Sequence, residues 1–339
     1  MKRIGNIYDK ICSIENLRLA DEKARKGKLR SYGVRRHDRR RDLNIQELHK
    51  KLMSGTFVTS KYEIFTLKCD NGKEREIYRL PYYPDRIVHH AIMNVLEPIW
   101  VSTFTADTYS CIKNRGIHAA VKKLQRILKS NPQETRYCLK IDVRKFYPNI
   151  DHDILKAIVR RKLKDQRLLK LLDSIIDSAP GVPIGNYLSQ YFANLYLSYF
   201  DHWIKEVLSA KCYFRYADDV VILSASKMQL RAYLVAIQEY LQAELRLEVK
   251  GNYQIFPVAS RGIDFLGYVF FHSHTLLRKT IKQRFCKKVS KLNKVDIAEK
   301  KYKQKVCSWW GWAKYCDSRH LIQKLFKNSK YEIKFKRAS

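Results

Sequence analysis

Apolar positions along the chain follow two periods, and the way they alternate predicts an α+β protein. A helical period recurs in the segments 1–53, 85–100, 116–129, 151–176, 188–199, 230–245 and from about 280 to the C-terminus. Segments rich in β-branched and aromatic residues predict strands at 56–82, 137–143, 213–223 and 262–271. Helices packed on an antiparallel sheet form an α+β architecture.

The strand pattern at 213–223, YFRYADDVVIL, is interrupted by Asp218 and Asp219. Aspartate is depleted from pleated, half-buried surfaces, and an unpaired carboxylate is costly to remove from water. The strand at 137–143 contains a third acid, Asp142, after its apolar residues. If both segments pair in one sheet, three carboxylates meet at its edge. The alternative is a polar hairpin turn, to which aspartate is suited.

Three carboxylates without histidine or cysteine ligands describe a site for a hard cation and favour Mg²⁺ over zinc. Two such ions a few ångströms apart can activate an attacking hydroxyl and stabilise a departing oxygen in phosphoryl transfer. Asp151, in contrast, is better explained as the cap of the helix that follows it than as a further metal ligand.

The charge of the chain indicates a polyanionic partner. Sixty-seven Lys and Arg against 33 Asp and Glu leave a net charge of +34. Residues 35–41 hold five arginines, and residues 278–305 hold twelve Lys or Arg. A single basic run is compatible with a solvated face, but an excess over the whole chain favours nucleic acid as the partner.

A membrane partner is not expected. The longest uncharged stretch, 178–200, contains two prolines and two glycines, and the N-terminus lacks the features of a signal peptide. Eight cysteines without a C-x-x-C pair predict reduced thiols in a cytoplasmic protein.

Tyr216-Ala217-Asp218-Asp219, within strand–turn–strand, resembles the catalytic hairpin of reverse transcriptases. The resemblance extends in family order over roughly residues 55–275. It includes a first catalytic motif at 139–151 (LKIDVRKFYPNID), a template- and nucleotide-contacting motif at 182–190 (VPIGNYLSQ), a primer grip at 262–268 (GIDFLGY) and a triphosphate-grasping fingers segment at 73–86.

This resemblance implies a right-hand polymerase with an antiparallel palm sheet flanked by helices. The implied divisions are a basic helical N-terminal extension at 1–53, fingers at 54–136, a palm at 137–275 with a helical insertion at about 152–180, and a helical thumb at 276–339.

The resemblance also implies residue roles. Asp142, Asp218 and Asp219 are the catalytic carboxylates. Two Mg²⁺ ions are held mainly by Asp142 and Asp218, assisted by the Val143 carbonyl, while Asp219 lies nearer the primer end. The implied dNTP contacts are Lys73, Arg75, Arg79, Tyr147, Ile184, Gly185, Gln190 and Lys250.

Three of these contacts have a stated chemistry and a simpler alternative. A tyrosine ring at 147 would clash with a ribose 2′-OH, although an ordinary core tyrosine is the alternative. Arg75 offers phosphate a planar fork and is preferred to Lys73 and Arg79, which ordinary basic surface would also explain. Lys250 could protonate leaving pyrophosphate as a general acid, or could simply end a helix.

Most reverse transcriptases carry Gln-Gly and Ser-Pro where this chain has Ile184-Gly185 and Ser189-Gln190. The pairs found here, with the run SWWGWAKYCDSRHL at 308–321, resemble the enzymes of diversity-generating retroelements. A glutamine amide can hydrogen-bond the incoming nucleotide, whereas isoleucine can contact it only by its shape. The loss of that contact would weaken discrimination between nucleotides, which agrees with the error-prone copying at template adenines that the resemblance implies.

The implied partners are the template-repeat RNA, its RNA/cDNA duplex, dNTPs and a small basic accessory variability determinant protein. Two rivals stay open at this point: another bacterial reverse transcriptase of retron or phage-defence type, and a non-catalytic RNA-binding scaffold.

Overall fold

The protein combines fifteen α-helices with three antiparallel sheets in the part described by the computed structural model, which comprises residues 3–68, 74–327, 329 and 331. This confirms the expected α+β class. The chain forms two compact units. The first contains Met1–Cys111, Val143–Val207 and Ile237–Lys250, and the second contains Ile112–Asp142, Leu208–Ala236 and Gly251–Ser339.

The helices, in chain order, are α1 Tyr8–Cys12, α2 Ile14–Ala24, α3 Tyr32–Asp38, α4 Arg41–Met53, α5 Ile87–Val101, α6 Ile117–Ser130, α7 His152–Arg160, α8 Gln166–Ile176, α9 Tyr187–Tyr196, α10 Ser198–Glu206, α11 Lys227–Leu245, α12 Val258–Arg261, α13 Lys279–Asn293, α14 Glu299–Ala313 and α15 Arg319–Phe326. The strands are β1 Glu63–Lys68, β2 Glu74–Arg79, β3 Tyr137–Asp142, β4 Cys212–Tyr216, β5 Asp219–Ser224, β6 Gln254–Pro257, β7 Ile263–Phe265, β8 Tyr268–Phe270 and β9 Thr275–Leu277.

In the first unit, a buried carboxylate anchors the arginine-rich N-terminal helices. Asp21 is fully buried, and its oxygens accept hydrogen bonds from Arg25 and Arg41, both at 2.7 Å. The Tyr82 hydroxyl also donates to Asp21. Because a buried charge is tolerated only when it is paired and hydrogen-bonded, this network fixes α2 and the start of α4 to the segment that precedes α5.

The helical stretch expected from Asp151 to Ile176 is divided into α7 and α8 by residues 161–165. The aspartate before each helix caps it: Asp151 Oδ1 accepts from Ile154 N at 3.1 Å, and Asp165 Oδ1 accepts from Leu168 N at 3.2 Å. The predicted cap at Asp151 is therefore confirmed, and the single helix is corrected to two because Asp165 starts a new one.

A tight turn between α8 and α9 is packed against the short helix Tyr147–Asn149. Gly181 has φ +57°, and a Cβ at this position would lie 2.5 Å from the Pro148 carbonyl oxygen. The Val182 amide donates to the Tyr147 carbonyl at 2.9 Å. His152 Nε2 lies 2.8 Å from the Gly181 carbonyl oxygen. Glycine is thus required here by both its backbone angle and the close backbone approach.

In the second unit, β3 occupies an inner position of a four-stranded sheet with the order β4-β5-β3-β6. A separate three-stranded sheet has the order β7-β8-β9. The single strand predicted at 262–271 is therefore wrong. Leu266 and Gly267 both have positive φ and turn the chain between β7 and β8, and a Cβ on Gly267 would lie 2.6 Å from a Trp312 ring atom.

The C-terminal helices α13, α14 and α15 enclose an apolar cluster. Its buried members are Phe285, Val289, Leu292, Tyr302, Val306, Ala313 and Ile322. Trp309 and Trp310 pack against this cluster, so these tryptophans stabilise a helical core. In the part of the chain that the structure describes, no helix is both long enough and apolar enough to span a membrane.

We expect the substitution Gly181→Ala to lower the free energy of unfolding by about 2 kcal/mol or more, because it adds a backbone clash to an unfavourable φ. Gly27→Ala is the matched control, since Gly27 has a similar φ of +71° but nothing within 4 Å of its Cβ position. That variant should lose only about 1 kcal/mol. Equal losses in urea unfolding would contradict the close approach at Gly181.

Candidate active site

A two-residue connection between β4 and β5 places an acid at the tip of a hairpin. Tyr216 pairs with Asp219, so Ala217 and Asp218 form the loop, and Ala217 has φ +56°. Such short hairpins need positive φ in the loop. The fully buried Arg215 donates from Nη1 to the Ala217 carbonyl at 3.0 Å and so holds the loop backbone.

The register of the sheet sets two acids face to face. β3 and β5 pair antiparallel, with Asp142 directly opposite Asp219. Side chains alternate between the two faces of a strand, so Lys140 lies on the same face as Asp142. Like charges directly opposite each other are destabilising. The predicted pairing of the two strands in one sheet is confirmed, and it places Asp142 and Asp219 at the same end of that sheet, with Asp218 one residue from the pair.

Charge crowding is visible at Asp219. Burial raises the pKa of its carboxyl group to about 6, Lys140 counteracts the rise, and Asp142 and Asp218 add to it. Lys140 Nζ lies 3.7 Å from Asp219 Oδ2. The other oxygen, Oδ1, is buried and has no hydrogen-bond partner in the described part of the chain.

These donors fit a hard divalent cation. Carboxylate oxygens in a crowded negative site, one of them buried without a partner, are what such a cation would satisfy. Within residues 3–68 and 74–327, no three His, Cys, Asp or Glu side chains form a metal cage by themselves.

In the first unit, the segment 184–185 is docked on strand β2. The Tyr78 amide donates to the Ile184 carbonyl at 2.8 Å. Gly185 has φ +128°, and a Cβ on it would lie 2.5 Å from the Tyr78 carbonyl oxygen. The structure thus joins the predicted fingers hairpin to the predicted nucleotide-contacting motif. Gln190 is exposed on α9.

The remaining predicted dNTP contacts that the structure describes lie on several elements of the first unit. Arg75 is exposed opposite Leu67 in the β1–β2 hairpin, while Arg79 pairs with Glu63 on the neighbouring strand. Tyr147 is half-buried, with its ring 5.4 Å from that of Phe146. Lys250 is half-buried and follows Val249, which bridges to Val143. Lys73 lies outside the described residues.

A basic cavity of about 1130 Å³ lies within the first unit, between the N-terminal helices and β2. Its charged lining consists of the carboxylate of Glu63 and seven cationic side chains, Lys28, Arg36, Arg39, Arg40, Lys61, Arg79 and Arg86. Gly185 and Tyr187 also line it. This arrangement suits a polyanion.

Arg86 shows the electrostatic cost of this cavity. Burial lowers the pKa of its guanidinium, and Nε is buried without a hydrogen-bond partner in the described residues. Burial also lowers the pKa of the Lys28 ammonium, and Arg86 adds to the effect. An anion bound in the cavity would relieve both effects.

Comparison with known families identifies the chain. The profile described as "Reverse transcriptase (RNA-dependent DNA polymerase)" matches residues 67–270, which is more than half of the chain. The chain belongs to the reverse transcriptase family. By class it is an RNA-directed DNA polymerase, and this family uses divalent metal ions.

Relatives of this reverse transcriptase include intron-encoded proteins. It is 26% identical to Protein YkfC of Escherichia coli over 281 residues, which cover 70% of this chain and 72% of YkfC. It is 22% identical to the group II intron-encoded protein LtrA of Lactococcus lactis over 174 residues, which cover 48% of this chain but only 28% of LtrA.

The fold of the reverse transcriptase is similar to that of apo telomerase from Candida tropicalis. The TM-score is 0.51 at 12% identity, and the match covers 81% of this chain and 59% of the telomerase chain. Such a likeness concerns the fold alone and confirms the polymerase fold that the motifs implied.

Three charged residues of the reverse transcriptase were not singled out by the sequence analysis. Lys140 could have been found, because it stands two residues before Asp142 and strand periodicity puts both on one face. Arg215 had a weaker signal, a charge inside an apolar strand. Arg86 ends the predicted segment 73–86, but its burial gave no local signal, because that burial depends on contacts distant in sequence.

The pKa of Asp219 predicts a pH-dependent effect of Asp219→Asn on stability. The folded-state pKa, about 6, exceeds the ordinary 3.8, so ionising Asp219 destabilises the folded reverse transcriptase, and this cost grows as pH rises through that interval. Without divalent metal at about pH 8, the free energy of unfolding of Asp219→Asn should therefore exceed that of the wild type by about 1 kcal/mol. This figure allows for the partial solvent exposure of Asp219.

The advantage of Asp219→Asn should shrink as the pH falls below about 6 and vanish below about pH 3, where the wild-type carboxyl is protonated in both states. The exposed carboxylate of Asp153 provides the control, and Asp153→Asn should show no such pH-dependent gain. Urea unfolding at several pH values in EDTA measures both variants. A stabilisation by Asp219→Asn that is the same at every pH would contradict the electrostatic origin.

Proposed function

We propose that this chain copies an RNA template into error-prone cDNA as the reverse transcriptase of a diversity-generating retroelement. The observation that carries the polymerase assignment is the register that sets Asp142 opposite Asp219, with Asp218 in the adjoining loop. A non-catalytic RNA-binding scaffold has no need to hold like charges against their repulsion.

In the proposed reaction, the primer 3′-hydroxyl attacks the α-phosphorus of a dNTP and pyrophosphate leaves. Asp142 and Asp218, with the Val143 carbonyl, would hold two Mg²⁺ ions, and Asp219 lies nearer the primer end. When bound, these ions would activate the attacking hydroxyl and stabilise the departing oxygen. The carboxylates of the chain serve to orient this centre and to keep it negative.

The other proposed roles concern nucleotide selection. Tyr147 excludes a ribose 2′-OH, and its backbone is held by the Gly181 turn through the Val182 amide. Arg75 and Arg79, on strand β2, contact the triphosphate together with Lys73. Lys250 donates a proton to pyrophosphate.

We further propose that the basic cavity of the first unit binds phosphates of the RNA template. Its seven cationic side chains and the unpartnered Arg86 Nε support this assignment. Gly185 lines the cavity and belongs to the motif that resembles a template contact.

The proposed subtype rests on Ile184. This side chain replaces the amide of glutamine with an apolar group, while its own carbonyl is fixed by the Tyr78 amide. The backbone of the motif is therefore held in place and only the polar contact to the nucleotide is missing. A lost hydrogen bond weakens discrimination between correct and wrong nucleotides.

The proposed organisation follows the family: an N-terminal extension at 1–53, fingers at 54–136, palm at 137–275 and thumb at 276–339. The proposed partners are the template-repeat RNA and a small basic accessory variability determinant protein, in the cytoplasm. A retron or phage-defence enzyme is the rival, and it is distinguished by the error spectrum.

We expect Asp142→Asn and Asp218→Asn each to reduce primer extension on an RNA template by about three orders of magnitude, because each removes a carboxylate of the reacting centre. Asp153→Asn should extend primers like the wild type. Single-turnover extension with Mg²⁺ and dNTPs measures the effect. Extension that survives both active-site substitutions would remove the catalytic assignment.

We expect Ile184→Gln to lower misincorporation opposite template adenines about tenfold, because the amide restores a polar contact that discriminates among nucleotides. Ile184→Val keeps an apolar side chain and should retain the wild-type error rate. Sequencing of cDNA from a defined RNA measures both variants. A wild-type error rate at adenines equal to that at the other bases would contradict the retroelement subtype.

A further inference from the structure

Lys140 makes two contacts that connect different parts of the second unit. Its ammonium group lies 3.7 Å from Asp219 Oδ2 and donates to the Asp264 backbone carbonyl at 2.5 Å. The ammonium can therefore hydrogen-bond the Asp264 carbonyl while its charge faces the Asp219 carboxylate. The side chain is mostly buried, with 24% of its surface exposed, which weakens screening by solvent.

The second contact lies in the β7–β8 hairpin, where residues 262–268 resemble a primer grip. Asp264 is in β7, opposite Val269, and its carboxylate is held by Arg278 at 2.5 Å. The same small sheet is joined to the chain before β3 by His272, whose Nε2 lies 3.1 Å from Thr135 Oγ1. Lys140 therefore links strand β3, which ends at Asp142, to this hairpin.

The charge of Lys140 also bears on metal binding. Asp219 faces Asp142 in the sheet, and Lys140 is the cation on the same strand face, one alternate position from Asp142. A fixed ammonium beside a carboxylate opposes the approach of a divalent cation to that carboxylate. At the same time it reduces the repulsion between the two acids.

We propose that Lys140 is a positioning residue of the polymerase site, which competes with divalent cations for Asp219 and holds the β7–β8 hairpin against strand β3. This inference rests on the proposed polymerase function. Because the ammonium has both tasks, its removal should affect metal binding and primer binding in opposite directions.

The substitution Lys140→Met tests this, since methionine retains much of the apolar stem and loses the charge and the donors. Calorimetric titration of the full chain with Mn²⁺, without nucleic acid, should show about fivefold tighter binding, because a repelling charge is gone. In steady-state extension with Mg²⁺, the KM for the primer–template should rise about fivefold, because the hairpin loses its hydrogen bond from Lys140. General damage to the fold would weaken both.

Further variants separate the two tasks. Lys140→Arg keeps the charge and should restore wild-type Mn²⁺ affinity, whereas Lys140→Gln should resemble Lys140→Met. In the Asp219→Asn background, Lys140→Met should no longer tighten Mn²⁺ binding. Lys227→Met, at an exposed lysine that begins α11, is the matched control and should change neither measurement.

Mn²⁺ binding by Lys140→Met that is unchanged or weaker, or a primer–template KM that does not rise, overturns the proposal. The two levels of inference remain distinguishable. A wild-type chain that extends no primer contradicts the proposed function. A wild-type chain that extends primers, while Lys140→Met equals it in both measurements, contradicts only the role of Lys140.

Discussion

The repulsion between two carboxylates held opposite each other at the end of a β-sheet is the constraint on which this structure depends. Asp142 and Asp219 are directly paired, and such like-charge pairs cost up to about 1 kcal/mol. Ile141 precedes Asp142 and Val220 follows Asp219, and both side chains are almost completely buried. Burial of one such side chain contributes about 1.5–3 kcal/mol. The apolar sheet therefore outweighs the repulsion and keeps the acids together.

Strand β3 connects this constraint with the rest of the second unit. It carries Asp142 at its end and Lys140 on the same face, and Lys140 reaches the Asp264 carbonyl in the neighbouring small sheet. That small sheet is in turn fixed to the C-terminal helices, because Tyr268 donates from its hydroxyl to the Trp312 carbonyl at 3.0 Å. A short series of direct contacts therefore connects the strand that carries Asp142 with the C-terminal helices.

In the first unit, backbone contacts at two glycines hold the segments that carry the proposed nucleotide contacts. Gly181 and Gly185 both have positive φ and both approach a neighbouring carbonyl so closely that no Cβ fits. One contact holds the Tyr147 backbone, and the other holds the 184–185 segment on β2. Main-chain contacts therefore position the two segments that carry the proposed nucleotide contacts. The side chains of Ile184 and Tyr147 determine what those segments offer to a nucleotide.

Local sequence signals succeeded where one short segment contains the whole reason for its structure. The hairpin around Asp218 was predicted because apolar strands flank a polar loop, and Asp151 was predicted as a cap because capping involves only the next helical turn. The strand predicted at 262–271 was wrong because a run of apolar residues conceals the turn at Leu266-Gly267. That turn is favoured by glycine but is completed by Trp312, which is distant in sequence.

The sequence by itself determined the α+β class, the three acids that follow or interrupt apolar strands, the basic character and the family. These properties reside in composition, period and short motifs. Only the tertiary structure decided that Asp142 faces Asp219, that Lys140 joins Asp219 to the Asp264 carbonyl, and that arginines distant in sequence line one cavity. The physical reason is that strand register and side-chain convergence depend on contacts between segments far apart along the chain, which no local period records.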